Sequence, residues 1–140
     1  MFKNEPVVVS IHVVGDVTGE TYTGDFSFKP FLSCNDRIRA DRIRRELLGA
    51  NADEASEGAS DRAWMVGQLA IRTTKSDDWW KSKEGGLQLI DENVLVAVYE
   101  AAMKVEKDAV ARVKAKSDEA KKTLGDQVKA IESGKEADEG

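Results

Sequence analysis

The chain has 140 residues, a net charge of −5, 34% charged side chains and 6% aromatic ones. That length suits one domain around one mostly aliphatic core, single domains commonly running to about 100–150 residues. The acidic balance argues against non-specific nucleic-acid binding, which needs a basic face, and the basic and acidic side chains of residues 104–140 cancel one for one, so the deficit lies earlier. The lone Cys34 cannot close an internal disulfide and suits a reducing compartment. No secretory signal is visible, and the apolar run 7–14 is far too short to cross a bilayer, so a cytosolic protein is expected.

The first elements alternate. Val7, Val9, Ile11 and Val13 interleave with Val8, Ser10, His12 and Val14, and a second run sets Tyr22, Phe26 and Phe28 against Thr21, Thr23, Asp25, Ser27 and Lys29. This is strand period. Gly15-Asp16-Val17-Thr18-Gly19 between them predicts a β-hairpin with one wet and one dry face. Two strands are marginal in water, so the aromatic face must lie on helices or another subunit. Pro30 should end the second strand.

Ser33 or Asn35 can cap a helix running to Leu48, with Gly49 as its stop. At about 100° per residue, Ala40, Ile43 and Leu47 share a face with Leu48 at its edge, and Arg44 projects close enough to form an internal ion pair. Residues 50–58 read as a loop. A second helix is predicted over residues 59–73, apolar almost all round except for a strip of Asp61, Gln68 and Arg72. Such a helix belongs in the middle of a bundle, and Gly67 would admit a close neighbour.

Residues 74–90 read as a loop carrying Trp79 and Trp80, with one indole expected to close the core and the other to face outward, the alternative being that both are buried. Asp91 is expected to cap a long third helix with a broad apolar face over Val94, Leu95, Val98, Tyr99, Ala102, Met103 and Val105. Beyond Glu106 that face narrows to a seam, Ala109, Val113, Ser117, Ala120 and Leu124, like a coiled-coil edge. About 30 residues at 1.5 Å each make a rod near 45 Å, too long to pack wholly on so small a domain. Self-association or a helical partner is expected to cover part of it. The organisation expected is residues 1–105 as hairpin plus helical core, 106–132 as extended charged helix and 133–140 as disordered tail. The fold class is α+β, mainly α: an N-terminal β-hairpin, a small helical bundle and a long C-terminal helix.

Chemistry is hard to place. His12 is the only histidine and Cys34 the only cysteine, so neither a zinc site nor a Cys/His pair can be built. No glycine-rich loop has phosphate-cradling spacing. The expectation is no catalysis, no metal and no cofactor. The arginines of "DRIRADRIRRELLG" scatter around the helix instead of forming a stripe, and Asp41 and Glu46 stand four residues from arginines they can pair with. A helix laced by its own ion pairs is favoured over DNA contact. The tryptophans have two readings, an interface grip or a plug over the core.

Residues 31–105 carry a resemblance. "FLS" opens an Asp/Arg-rich helix ending in "RRELLG"; "QLAIRTT", "WW", "GGLQLIDENV" and "VYEAAMKVE" follow. The succession resembles the tail assembly chaperones of long-tailed bacteriophages, at Arg45, Leu48, Gly49, Leu69, Ala70, Arg72, Trp79, Trp80, Gly86, Leu87, Leu89, Asp91, Asn93, Val94 and Tyr99. Such proteins often carry a proline before the tryptophan pair, where Ser76-Asp77-Asp78 stands here. The resemblance implies a non-catalytic protein that binds the tape-measure protein in the host cytoplasm, keeps its apolar helices from aggregating, and leaves as tail-tube subunits polymerise. It also implies, for many members, an extended form made by ribosomal frameshifting. The partner-binding residues expected are Trp79, Trp80, Leu87, Leu89, Tyr99, Val113, Ala120 and Leu124. Expected partners are the tape-measure protein, tail tube or other virion subunits and a second copy of the chain, with no membrane and no nucleic acid. The alternative is a structural component of the virion, a head, neck or tail accessory protein.

Overall fold

A computed structural model describes the backbone of residues 3–139 and the side chains of residues 3–129. The elements in order are strands β1 (Val7–Val14) and β2 (Thr21–Phe28), helices α1 (Cys34–Leu48) and α2 (Glu57–Arg72), strand β3 (Thr73–Lys75), the short helix α3 (Asp78–Ser82) and helix α4 (Glu92–Glu139). Single 3-10 turns lie at Ala52–Glu54 and Glu84–Gly86. The protein is α+β and mainly helical, with an antiparallel sheet in the order β1-β2-β3. It divides into two compact units, the first ending at Glu106 and the second beginning at Lys107.

The hairpin forms for the reason its alternation suggests. Val7 pairs with Phe28 and Val14 with Thr21, so Val7, Val9, Ile11 and Val13 share the dry face with Tyr22, Phe26 and Phe28. Val8, Ser10, His12 and Val14 are exposed on the other face. Gly19 takes a φ of 73° in the connection, and its N–H donates to Gly15 O at 3.0 Å. A third strand joins the expected two. β3 leaves the end of α2 through the β-branched Thr73 and Thr74, and Thr74 Oγ1 donates to Ser27 O at 3.2 Å.

Helix α1 is bounded by local chemistry. Ser33 caps it in a capping box with Asp36, whose N–H donates to Ser33 Oγ at 3.0 Å while its carboxylate accepts from Ser33 N–H at 3.1 Å. Gly49, at a φ of 80°, ends it, with its N–H on Arg45 O. Helix α2 starts two residues earlier than expected because Ser56 caps it through Ala59 N–H. The two helices meet at Gly67, where a Cβ would stand 2.6 Å from Ala40 O. No other residue permits that approach.

The main core gathers Ile11, Phe26 and Phe28 from the sheet, Val66 and Leu69 from α2, Trp80, and Leu95, Val98, Ala102 and Val105 from α4. Leu32, Ala40 and Ile71 make a smaller cluster behind α2. The sidedness expected of α2 is reversed in part. Gln68 and Arg72, two members of the narrow polar strip, are buried, whereas Trp64, expected among the apolar positions, is 43% exposed. The cause is a counter-charge distant in sequence: Arg72 Nη2 donates to Glu106 Oε1 at 2.9 Å and its Nε to Gln68 Oε1 at 3.2 Å.

Helix α4 is 48 residues long and runs to Glu139. Residues 133–139, expected as a disordered tail, are therefore its last turns; apart from Gly134 and Ser133 they are Lys, Glu, Ala and Asp, which a helix accommodates. Gly140 lies outside the described residues.

Candidate protein-binding groove

Trp79 and Trp80 belong to α3, not to an extended loop, and both turn inward. Trp80 is 4% exposed, edge-on to Phe26 with ring centroids 5.5 Å apart. Trp79 is half-buried, 4.9 Å from the Tyr22 ring and 5.7 Å from Phe26, and its Nε1 donates to Thr23 O at 2.9 Å. The outward-facing indole is thus corrected. One helical step turns a side chain by about 100°, so neighbouring residues on α3 can both meet the dry face of β2. Gly86, at a φ of 104°, lets the chain cross Trp80 closely, since a Cβ there would stand 3.0 Å from the indole. Trp80 is a plug over the core, and Trp79 packs half-buried beside it.

Asp91 stands where expected, at the residue before α4, and its C=O accepts from Val94 N–H at 3.0 Å, but its side chain turns to the hairpin connection. Its carboxylate, fully buried, accepts from Val17 N–H and Thr18 N–H, each at 2.8 Å, and from Thr18 Oγ1. The Thr18 hydroxyl, with the backbone N–H groups of Thr18 and Val17, holds this carboxyl below its ordinary range despite the burial. A Cβ on Gly15 would overlap the carboxylate, so only glycine fits there. Next to it, Asn93 Oδ1 accepts from Asp16 N–H at 3.1 Å and Asn93 Nδ2 donates to Val14 O at 2.9 Å. Together they fasten the hairpin connection to the start of α4.

An open apolar groove of the first unit lies elsewhere. A groove of about 420 Å³ runs between the end of α1 (Leu47, Leu48), one side of α2 (Ala59, Arg62, Ala63, Val66) and the segment from Gly86 to Leu95. Leu47 is 40% exposed, Leu87 46% and Ile90 69%. Leu47, expected to share a face with Ala40 and Ile43, instead stands on the rim, while Ala40 is buried and Ile43 is half-buried against the smaller cluster. Across the groove Arg62 grips Glu92 with two hydrogen bonds, Nε to Oε1 at 2.9 Å and Nη2 to Oε2 at 3.2 Å. Both side chains are over half exposed, so the pair orients the wall more than it stabilises the fold.

Of the expected contact residues, the structure brings Leu87 and Leu89 to this groove. Tyr99 is half-buried against the core, its hydroxyl accepting from Trp64 Nε1 at 3.3 Å. Val113, Ala120 and Leu124 are exposed on the second unit's part of α4, at 44% for Val113 and 63% for Leu124. Ile90, Leu47 and Trp64 were not among the expected contacts. Nothing periodic marks Ile90, which sits between two helices.

Ion pairs engage the arginine-rich helix. Asp41 holds Arg44 at 3.1 Å and Arg45 at 3.0 Å, Asp36 lies 3.8 Å from Arg39, and Arg45 reaches Asp53 at 3.7 Å. Among the described residues no group of three or more His, Cys, Asp or Glu converges as a metal site, and no helix is long and apolar enough to cross a membrane.

These features define a mainly helical α+β protein whose sheet is plugged by an indole pair and which has a groove between helices rimmed by Leu47, Leu87 and Ile90. No protein-family model, curated protein or solved structure matches the chain.

Proposed function

We propose that the chain is a non-catalytic protein of bacteriophage morphogenesis: a tail assembly chaperone that holds an apolar helical segment of the tape-measure protein in the host cytoplasm. The observation that carries this reading is the groove rimmed by Leu47, Leu87 and Ile90. An amphipathic helix presents residues at i, i+3, i+4 and i+7 to such a groove, and a cleft of this volume takes several of them. The groove replaces the tryptophan pair as the binding surface. Val113, Ala120 and Leu124 offer a second, thinner apolar stripe on a charged helix, suited to a helical partner. The internal pairing of Arg39, Arg44 and Arg45 supports a protein partner over nucleic acid.

The test is co-expression with the tape-measure protein, scored by the soluble fraction and by affinity for its apolar helical segments. Leu87→Asp and Ile90→Asp, both at exposed positions, leave the fold intact and weaken binding by roughly tenfold or more. Unchanged binding by the double variant refutes the groove. Abundant, stoichiometric copies in finished particles refute the chaperone role and favour a structural component of the virion.

A further inference from the structure

The free edge of the sheet carries an inference independent of what the groove receives. Gly15 N–H donates to Glu20 O at 2.8 Å, one residue beyond the Val14–Thr21 pair. Hydrogen-bonded pairs alternate along an antiparallel ladder. Val7, Val9, Ile11 and Val13 therefore turn their backbone groups toward β2, and Val8, Ser10, His12 and Val14 turn theirs away. At one end of this outer edge Asn93 already acts as a short partner strand, bonding Val14 O and Asp16 N–H. At the other end Pro6 has no N–H to offer. Between these two stops lie the outward N–H and C=O groups of Val8, Ser10 and His12, which no described residue engages.

Edges of this kind are ordinarily blunted by lysine, proline or a bulge. β1 has no lysine or proline, and its pairing with β2 is unbroken. Its dry face is also unfinished, since Val7, Val9 and Val13 remain half-buried beside the fully packed Ile11.

We propose that β1 pairs with β1 of a second copy of this chain, antiparallel about a two-fold axis through Ser10, joining the two sheets into one of six strands. In that register Ser10 faces the partner's Ser10 and Val8 faces the partner's His12, so every open group between the two stops is satisfied. Sliding the pair either way sets one of the three residues opposite Pro6, which lacks a donor, or Val14, whose carbonyl Asn93 holds. On the dry face the same register lays Val9 against the partner's Ile11 and Val7 against the partner's Val13, covering the half-buried row. An isologous contact of this kind closes at two copies and does not propagate.

The register makes the test specific. In a Cys34→Ser background, Ser10→Cys places two thiols on a hydrogen-bonded pair whose Cα atoms stand about 5.5 Å apart, within disulfide reach. Val8→Cys separates its two copies by four residues, roughly 14 Å, beyond reach. Oxidation is expected to cross-link the first variant and not the second. Ser10→Pro removes an N–H that points away from β2, a position where an edge strand tolerates proline, and is expected to weaken dimerisation roughly tenfold or more. Ser10→Ala, which loses only the bond from Ser10 Oγ to Asp25 Oδ1, keeps the dimer. Sedimentation over a concentration series reads both. A protein monomeric throughout, or equal cross-linking through residues 8 and 10, overturns the proposal; if Ser10→Pro does not fold, the cysteine pair decides.

Discussion

Trp80→Ala distinguishes a plug from a grip. The indole is 4% exposed and packs edge-on to Phe26 and to Trp79, whose ring centroid lies 5.9 Å away. A tryptophan buries roughly 150–250 Å², worth about 4–6 kcal/mol at about 25 cal/mol per Å². Alanine retains a little of that, and buried aromatic truncations cost about 3–5 kcal/mol, so a loss of about 4 kcal/mol is expected. Trp79→Ala removes a half-buried ring and the hydrogen bond to Thr23 O, and should cost less, about 2–3 kcal/mol. Urea unfolding followed by far-UV circular dichroism measures both, the midpoint moving while the slope holds. A Trp80→Ala protein within about 1 kcal/mol of wild type, yet deficient in partner binding, would refute the plug and restore the tryptophans as a contact surface.

The buried Arg72 makes a second test. Glu106→Ala strands a guanidinium that is 4% exposed, with Nη1 already lacking a partner, and should cost about 3–5 kcal/mol. Replacing Arg72 and Glu106 together by Met and Leu should restore most of that loss, and a double variant as unstable as the single one would refute the account. A third test concerns acid. Asp91 is held low first by the Thr18 hydroxyl, Asp36 first by the Ser33 N–H and Asp41 first by Arg45. With folded values depressed, their contribution is complete above the unfolded carboxylate range, about 4, and is lost as pH falls through the folded values. Stability should fall steadily below that point, and less steeply in Asp91→Asn; a stability flat with pH there, or a slope unchanged in Asp91→Asn, contradicts the assignment.

What the chain alone determined was local. The period-two run of Val7, Val9, Ile11 and Val13 implies a strand whatever lies around it, because side chains alternate across any pleat. Ser33, one of two candidate caps, and Gly49 mark the ends of α1 because caps act within one turn. Gly67 announced a close approach, and only the fold showed that the visitor is Ala40. The rest depended on partners far away in sequence. Arg72 is buried because Glu106, 34 residues on, supplies its charge. Asp91 keeps its place before α4, but its carboxylate holds Val17 and Thr18, 74 and 73 residues earlier. Trp80 faces inward because Phe26 offers it a ring. Periodicity records which residues avoid water, but the identity of the group that meets each buried polar atom or indole is a property of long-range packing, and tertiary structure alone decides it.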